Sequence, residues 1–322
     1  MTAELPLQDA SLVQWKPNRD RAKLIQMIVK VISGGFAAVS ILTTIGIIGT
    51  LIIETAAFFS EVPIWNFLTD AKWTPLFSTQ QFGIFVLISA TVMIAFLSIL
   101  VALPLGLLSA ICLSEYASPK IRQILKPILE VLAGVPTVVY GFFALLTVTP
   151  VLQFIIEQLQ IILPFIPDLK IFNALSAALV MGIMITPMVA SLSEDAIYAV
   201  PQRLRDGAYA LGATKRETVT AVVLPASLSG IVASIILAIS RAVGETMIVS
   251  LAAGANPVLG FNPFNSVMTM TAFIANTVKG EAPHGTTAYF TLYAVGTTLF
   301  LMTLALNIFS FWFVRRFREK YD

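Results

Sequence analysis

The sequence predicts an all-α polytopic membrane protein with six transmembrane helices and both termini on the cytoplasmic side. Three observations carry that prediction. Apolar residues make up 57% of the 322-residue chain and charged residues only 12%, with a mean hydropathy of +0.87. A soluble domain needs about 25% charged residues to cover its surface, so lipid must solvate most of this chain. Second, six separate segments approach the roughly 20 apolar residues that cross a bilayer. Third, lysine and arginine concentrate in alternate connections between those segments.

Taken in order, residues 1–30 form a basic cytoplasmic segment. The apolar run behind it is longer than a signal-peptide core and has no small-residue cleavage site, which predicts a retained first span over 31–53. The second span, 82–113, is long enough to be tilted; it holds the single cysteine, Cys112, which can form no internal disulfide. Residues 118–132 mix Lys120, Arg122 and Lys126 with apolar side chains and predict an amphipathic helix along the headgroups. The remaining spans are expected at 131–152, 172–193, 229–252 and 288–314, with a cytoplasmic tail at 315–322. Together 31–314 form one transmembrane domain. Pro104, Pro136 and Pro187 fall inside spans, where neighbouring helices satisfy the freed carbonyls.

The basic residues set the orientation. Lys16, Arg19, Arg21, Lys23 and Lys30 precede the first span, and Lys120, Arg122 and Lys126 follow the second. Arg203, Arg205, Lys215 and Arg216 follow the fourth, and Arg315, Arg316, Arg318 and Lys320 follow the sixth. The opposite side holds only Lys72, Lys170 and Lys279. The positive-inside rule therefore places both termini in the cytoplasm, as an even number of spans requires. External aromatics, including Trp65, Trp73, Phe261 and Phe264, fit interface anchoring. Glu54 is expected to snorkel at the outer end of the first span.

The cytoplasmic connection 198–228 carries the most specific pattern. It contains Asp206, Gly207, Ala208 and then Gly212, followed after a spacer by Val222, Leu224 and Pro225. The pattern predicts a short helix, a glycine turn and a second helix that ends before Pro225. Asp206 would sit at its own helix N-terminus, where the dipole favours negative charge. This spacing resembles the Glu-Ala-Ala loop of ABC-importer permeases, with Asp206, Gly207 and Val222 as mild departures. The resemblance implies the type I ABC-importer permease fold. It also implies that Asp206, Gly207, Ala208, Ala210, Leu211, Gly212, Leu224 and Pro225 belong to a coupling segment seated on a separate ATPase. The chain has no Gly-x-x-x-x-Gly-Lys-Ser/Thr phosphate cradle, so it is not expected to hydrolyse ATP itself.

Arg241 is the one basic residue inside a span. An arginine at mid-bilayer costs about 2.5–3.5 kcal/mol on insertion scales, so it needs a partner or an aqueous path. Glu245, four residues on, would share its helix face. One reading is a structural pair that neutralises itself. The other is a pair lining a translocation route, with Arg241 attracting an oxyanion and Glu245 tempering its grip.

This stretch, SRAVGETM, resembles the PstC-type permease of the phosphate ABC importer. GVPTVVYGFFAL at 134–145, ITPMVASLSEDAI at 185–197 and KWTPLFSTQQFG at 72–83 resemble other segments of that family. After Phe82-Gly83 the family has a proline and a Gly-Thr pair; here only Thr91 remains. The resemblance implies ATP-driven uptake of inorganic phosphate across the bacterial cytoplasmic (inner) membrane. It implies a PstA-type permease chain, two ATPase subunits and an extracytoplasmic phosphate-binding protein as partners. No cofactor is implied on this chain, with ATP and Mg on the partner ATPase. Thr137 and Tyr140 would face the path or hydrogen-bond between helices.

Other residues carry no site. His284, near Glu281, does not make a metal centre. Ser191 and Ser193 lack a histidine base, and Glu194 and Asp195 read as the solvated end of the fourth span. Alternatives are a permease for sulfate, molybdate or phosphonate, a secondary transporter using Glu245, or a membrane scaffold. No internal repeat supports the secondary transporter.

Overall fold

The structure, a computed structural model, describes residues 19–75, 77, 79–281, 283 and 285–317. His284, Lys16, Arg318 and Lys320 lie outside the described residues. The chain divides into two units, residues 1–50 and 51–322. Residues 19–50 are the first part of helix α1 (Arg19–Glu61). The second unit takes up the rest of α1 and then α2 (Ile64–Thr69), α3 (Ile84–Ile111), α4 (Pro119–Ala133), α5 (Thr137–Phe143) and α6 (Thr149–Ile162). It continues with α7 (Ala174–Tyr198), α8 (Gln202–Ala210), α9 (Lys215–Thr218), α10 (Leu224–Gly244), α11 (Met270–Asn276) and α12 (Thr287–Phe317). Helix is the expected solution, because a span must satisfy its backbone groups internally.

Among the described residues six helical stretches are long and apolar enough to cross a membrane: Ala22–Glu61, Ile84–Tyr116, Thr137–Ile162, Ala174–Tyr198, Lys215–Gly244 and Thr287–Arg316. Two differ instructively from the sequence reading. The third begins at Thr137 rather than 131, because Gly134, Val135 and Pro136 form a turn that separates it from α4. The residue before a proline is biased away from helical geometry, and here Val135 follows that bias. The fifth ends at Gly244, not 252, and the helix does not stop before Pro225. A π-helical turn, Val219–Val223, precedes Leu224, and Pro225 falls in the first turn of α10. The wide turn resets the hydrogen-bond register, so the missing proline N–H sits where no intrahelical donor is needed. The same device precedes Pro150, where the π-turn Ala144–Val148 leads into α6.

The centre of the second unit is α3 packed on α7. Small residues allow the approach. A Cβ added at Gly182 would lie 2.8 Å from the Ser98 carbonyl oxygen and 2.7 Å from Val101 Cβ, and one at Gly106 would lie 2.7 Å from Val189 Cγ1. Lipid offers no hydrophobic drive between helices, so this close van der Waals packing holds them. Gly182→Leu is expected to destabilise the folded chain by at least about 1–3 kcal/mol through overpacking. A lower thermal unfolding midpoint in detergent checks this; an unchanged midpoint would refute the tight contact. Ser193 shares a 2.7 Å hydrogen bond with Ser234 and joins α7 to α10.

At the end of the unit away from the basic connections, Trp73 bridges to Phe82. Trp73 is 1% exposed. It packs edge-on against Phe67, Phe82 and Phe273, so it is a core residue and not an interface anchor. Trp65 and Phe261 are exposed, consistent with the anchoring role.

Candidate functional site

At the basic end, the loop between the fourth and fifth spans folds as α8, a turn, and α9. Leu204 packs against a core of Ala110, Ile197, Val200, Val223 and Ile231. Arg205 is buried beside it, so α8 turns Leu204 and Arg205 inward. Asp206, Gly207 and Ala210 are exposed on the other face, with Ala208 half-buried between. Asp206 is the fifth residue of α8, not its N-terminal residue, and accepts a 3.1 Å hydrogen bond from Gln202 Nε2. Leu211 stands at the tip, 90% exposed. Gly212 then takes a left-handed φ of +83°, a conformation a side chain disfavours. Thr214 and Glu217 close the turn as a capping box on α9. Asp206, Gly207, Ala210, Leu211 and Gly212 thus make one continuous exposed surface. Leu224 does not join it, since it packs into the core of Ala110 and Ile197, and Pro225 opens α10.

Of the two acids that close the fourth span, Asp195 is exposed as its sequence suggests, but Glu194 is not. Glu194 is 1% exposed and pairs with Arg122 and with Lys126 at 2.9 Å. Lys126 also pairs with Asp195. The bond to Asp195, followed by those to Glu194, holds the Lys126 ammonium above its ordinary value of 10.5. The basic face of α4 therefore grips α7, while Ile121, Ile124, Ile128 and Val131 are exposed.

In the fifth span, Arg241 and Glu245 do not share a helix face. The helix ends at Gly244, and Glu245 is extended with ψ 130°. Among the described residues no carboxylate lies within ion-pair distance of Arg241; its Nη2 donates to Met184 Sδ at 3.6 Å. Arg241 is exposed. Glu245 is 8% exposed and has a different task. Its Oε1 accepts from the N–H groups of Met247 (3.1 Å) and Ile248 (3.3 Å), capping the helical turns that restart the chain.

Sequence reasoning missed the threonines around this break. Thr271 donates to the Glu245 carbonyl at 2.6 Å and shares a 3.1 Å bond with Thr269, which caps α11. Thr91 accepts from the Met270 N–H at 3.1 Å. The Thr-Met-Thr run ahead of an apolar stretch was the available signal, as an N-cap pattern. Tyr140 donates to the Leu132 carbonyl at 3.2 Å, which is a tie between helices. Thr137 opens α5 and is half-buried. No hydrogen bond joins either to Arg241 or Glu245. Their element does approach the break: a Cβ at Gly141 would lie 3.2 Å from the Met247 carbonyl oxygen.

This architecture is shared with solved importers. A chain of a bacterial ABC transporter involved in the import of the acidic polysaccharide alginate superposes with a TM-score of 0.61 at 15% identity, covering 93% of this chain and all of that one. A chain of an amino acid ABC transporter crystallised with histidines gives 0.50 at 22%, covering 78% and 98%. The fold is that of an ABC-importer permease.

Residues 102–321 match the family of binding-protein-dependent transport system inner membrane components, and the chain belongs to it. The Phosphate transport system permease protein PstC of Mesorhizobium japonicum is 34% identical over 248 residues, 74% of this chain and 75% of that one. The Probable ABC transporter permease protein YqgH of Bacillus subtilis is 33% identical over 242 residues, 74% of each. A probable PstC of Methanocaldococcus jannaschii is also 33% identical, over 74% of this chain and 78% of its own.

Proposed function

We propose that this chain is the transmembrane permease subunit of an ABC importer for inorganic phosphate in the bacterial cytoplasmic membrane. Its partners are a PstA-type permease, two ATPase subunits that bind ATP and Mg, and an extracytoplasmic phosphate-binding protein. The observation that carries the reading is Arg241, a guanidinium with no carboxylate partner among the described residues, close to where the fifth span ends. Its fork of donors matches the geometry of a phosphate oxyanion. Glu245 faces its own backbone amides and leaves that fork open.

The exposed face of Asp206, Gly207, Ala210, Leu211 and Gly212 is the ATPase contact. Small side chains there let a partner backbone come close, and Leu211 offers an apolar anchor. From Pro225 to Arg241 the chain is one helix, about 24 Å at roughly 1.5 Å per residue, so movement of the loop reaches the anion-binding residue directly.

The test is reconstitution of the chain with these partners in vesicles. Phosphate uptake is expected only with ATP inside the ATPase compartment. Uptake driven by an ion gradient without ATP would overturn the reading, and ATP-driven uptake of sulfate or molybdate but not phosphate would change the substrate.

A further inference from the structure

Both limbs of the loop after the fourth span hold the same short piece of the second span. That span ends in a π-helical turn, Cys112–Tyr116. On one limb, Arg205 is 8% exposed and bonds Glu115 Oε1 through Nε at 3.1 Å and Nη2 at 2.8 Å. Its Nη2 also donates to the Ile197 carbonyl at 2.9 Å, and its Nη1 to the Val200 carbonyl. On the other limb, the Lys215 ammonium lies 4.8 Å from the ring centroid of Tyr116. Between the limbs is a cavity of about 380 Å³ lined by Ser114, Glu115, Tyr198, Arg205, Tyr209 and Lys215.

The chemistry separates Arg205 from its neighbours. It sits one residue before Asp206, about 100° round α8, and is buried where Asp206 is exposed, so it does not share the exposed surface. Its planar fork spans three elements, which a lysine point charge does not do. Glu115 is itself buried, so the pair is costly to hold unless it fixes a geometry. A π-turn is a favoured place for functional irregularity in a helix, and the adjoining cavity leaves space for a second arrangement.

We propose that Arg205 is a positioning residue for transport: it fastens the ATPase-contact helix to the ends of the second and fourth spans, so ATPase movement reaches them as well as the fifth span. This rests on the ABC-importer reading above. The experiment uses the full complex in vesicles and measures how far phosphate-loaded binding protein raises ATP hydrolysis. An Arg205→Gln, Glu115→Gln double variant removes the ion pair without stranding either charge. The ATPase is expected to co-purify, while the stimulation falls at least about threefold and uptake falls with it. Stimulation equal to wild type, or loss of the ATPase from the complex, would overturn the proposal. Should the double variant fail to accumulate, Arg205→Lys keeps the charge and loses the fork; it must show reduced stimulation, and full stimulation refutes the role. Wild-type vesicles run in parallel separate the two readings: no ATP-driven phosphate uptake there removes the substrate assignment, whatever Arg205 does.

Discussion

Arg241→Gln is expected to lower phosphate uptake by the reconstituted complex roughly 10- to 150-fold, the equivalent of about 1.5–3 kcal/mol for hydrogen bonds to a charged group. Assembly should be unaffected, because Arg241 makes no ion pair among the described residues and its side chain gives only a weak bond to Met184 Sδ there. Uptake assays beside size-exclusion profiles of the purified complex check both halves. Loss of assembly would make Arg241 structural, and unchanged uptake would remove it from the anion path. The contrast with Glu245 sharpens the test. That carboxylate caps the chain restart at Met247 and Ile248, so its loss should act on folding as well as on transport.

The second large effect concerns the exposed tip of the loop. Leu211→Asp is expected to weaken ATPase association by about 30-fold or more, as truncation of an interface anchor costs roughly 2 kcal/mol or above. Leu211 touches no core cluster, so the variant should reach the membrane in normal amount. Co-purification of the ATPase from detergent extracts measures it. Retention of the ATPase at wild-type levels would place the contact elsewhere on the chain.

Much of this arrangement was legible beforehand. The six spans follow from composition and length, since a segment's own hydropathy decides whether it crosses lipid. The turn at Gly212 followed from spacing, and its left-handed φ supplies the reason for glycine. What sequence reasoning assigned wrongly depended on backbone register or on distant partners. Pro225 looked like a terminator because a proline removes one donor, yet the π-turn ahead of it absorbs that loss. Trp73 looked like an anchor by residue type, but Phe67, Phe82 and Phe273 enclose it.

The charged residues divide in the same way. By itself the sequence determined which charges exist within apolar segments, and so that Arg241 needed a partner or an aqueous path. It also determined the order of acid, small residues and glycine along the loop, because helix faces repeat locally every 3.6 residues. Only the tertiary structure decided which charges meet. It broke the helix between Arg241 and Glu245, buried Glu194 against Arg122 and Lys126, and brought Arg205 to Glu115 across 90 residues of chain. Those pairings arise where α3, α4, α7 and α8 converge, and no local periodicity encodes that convergence.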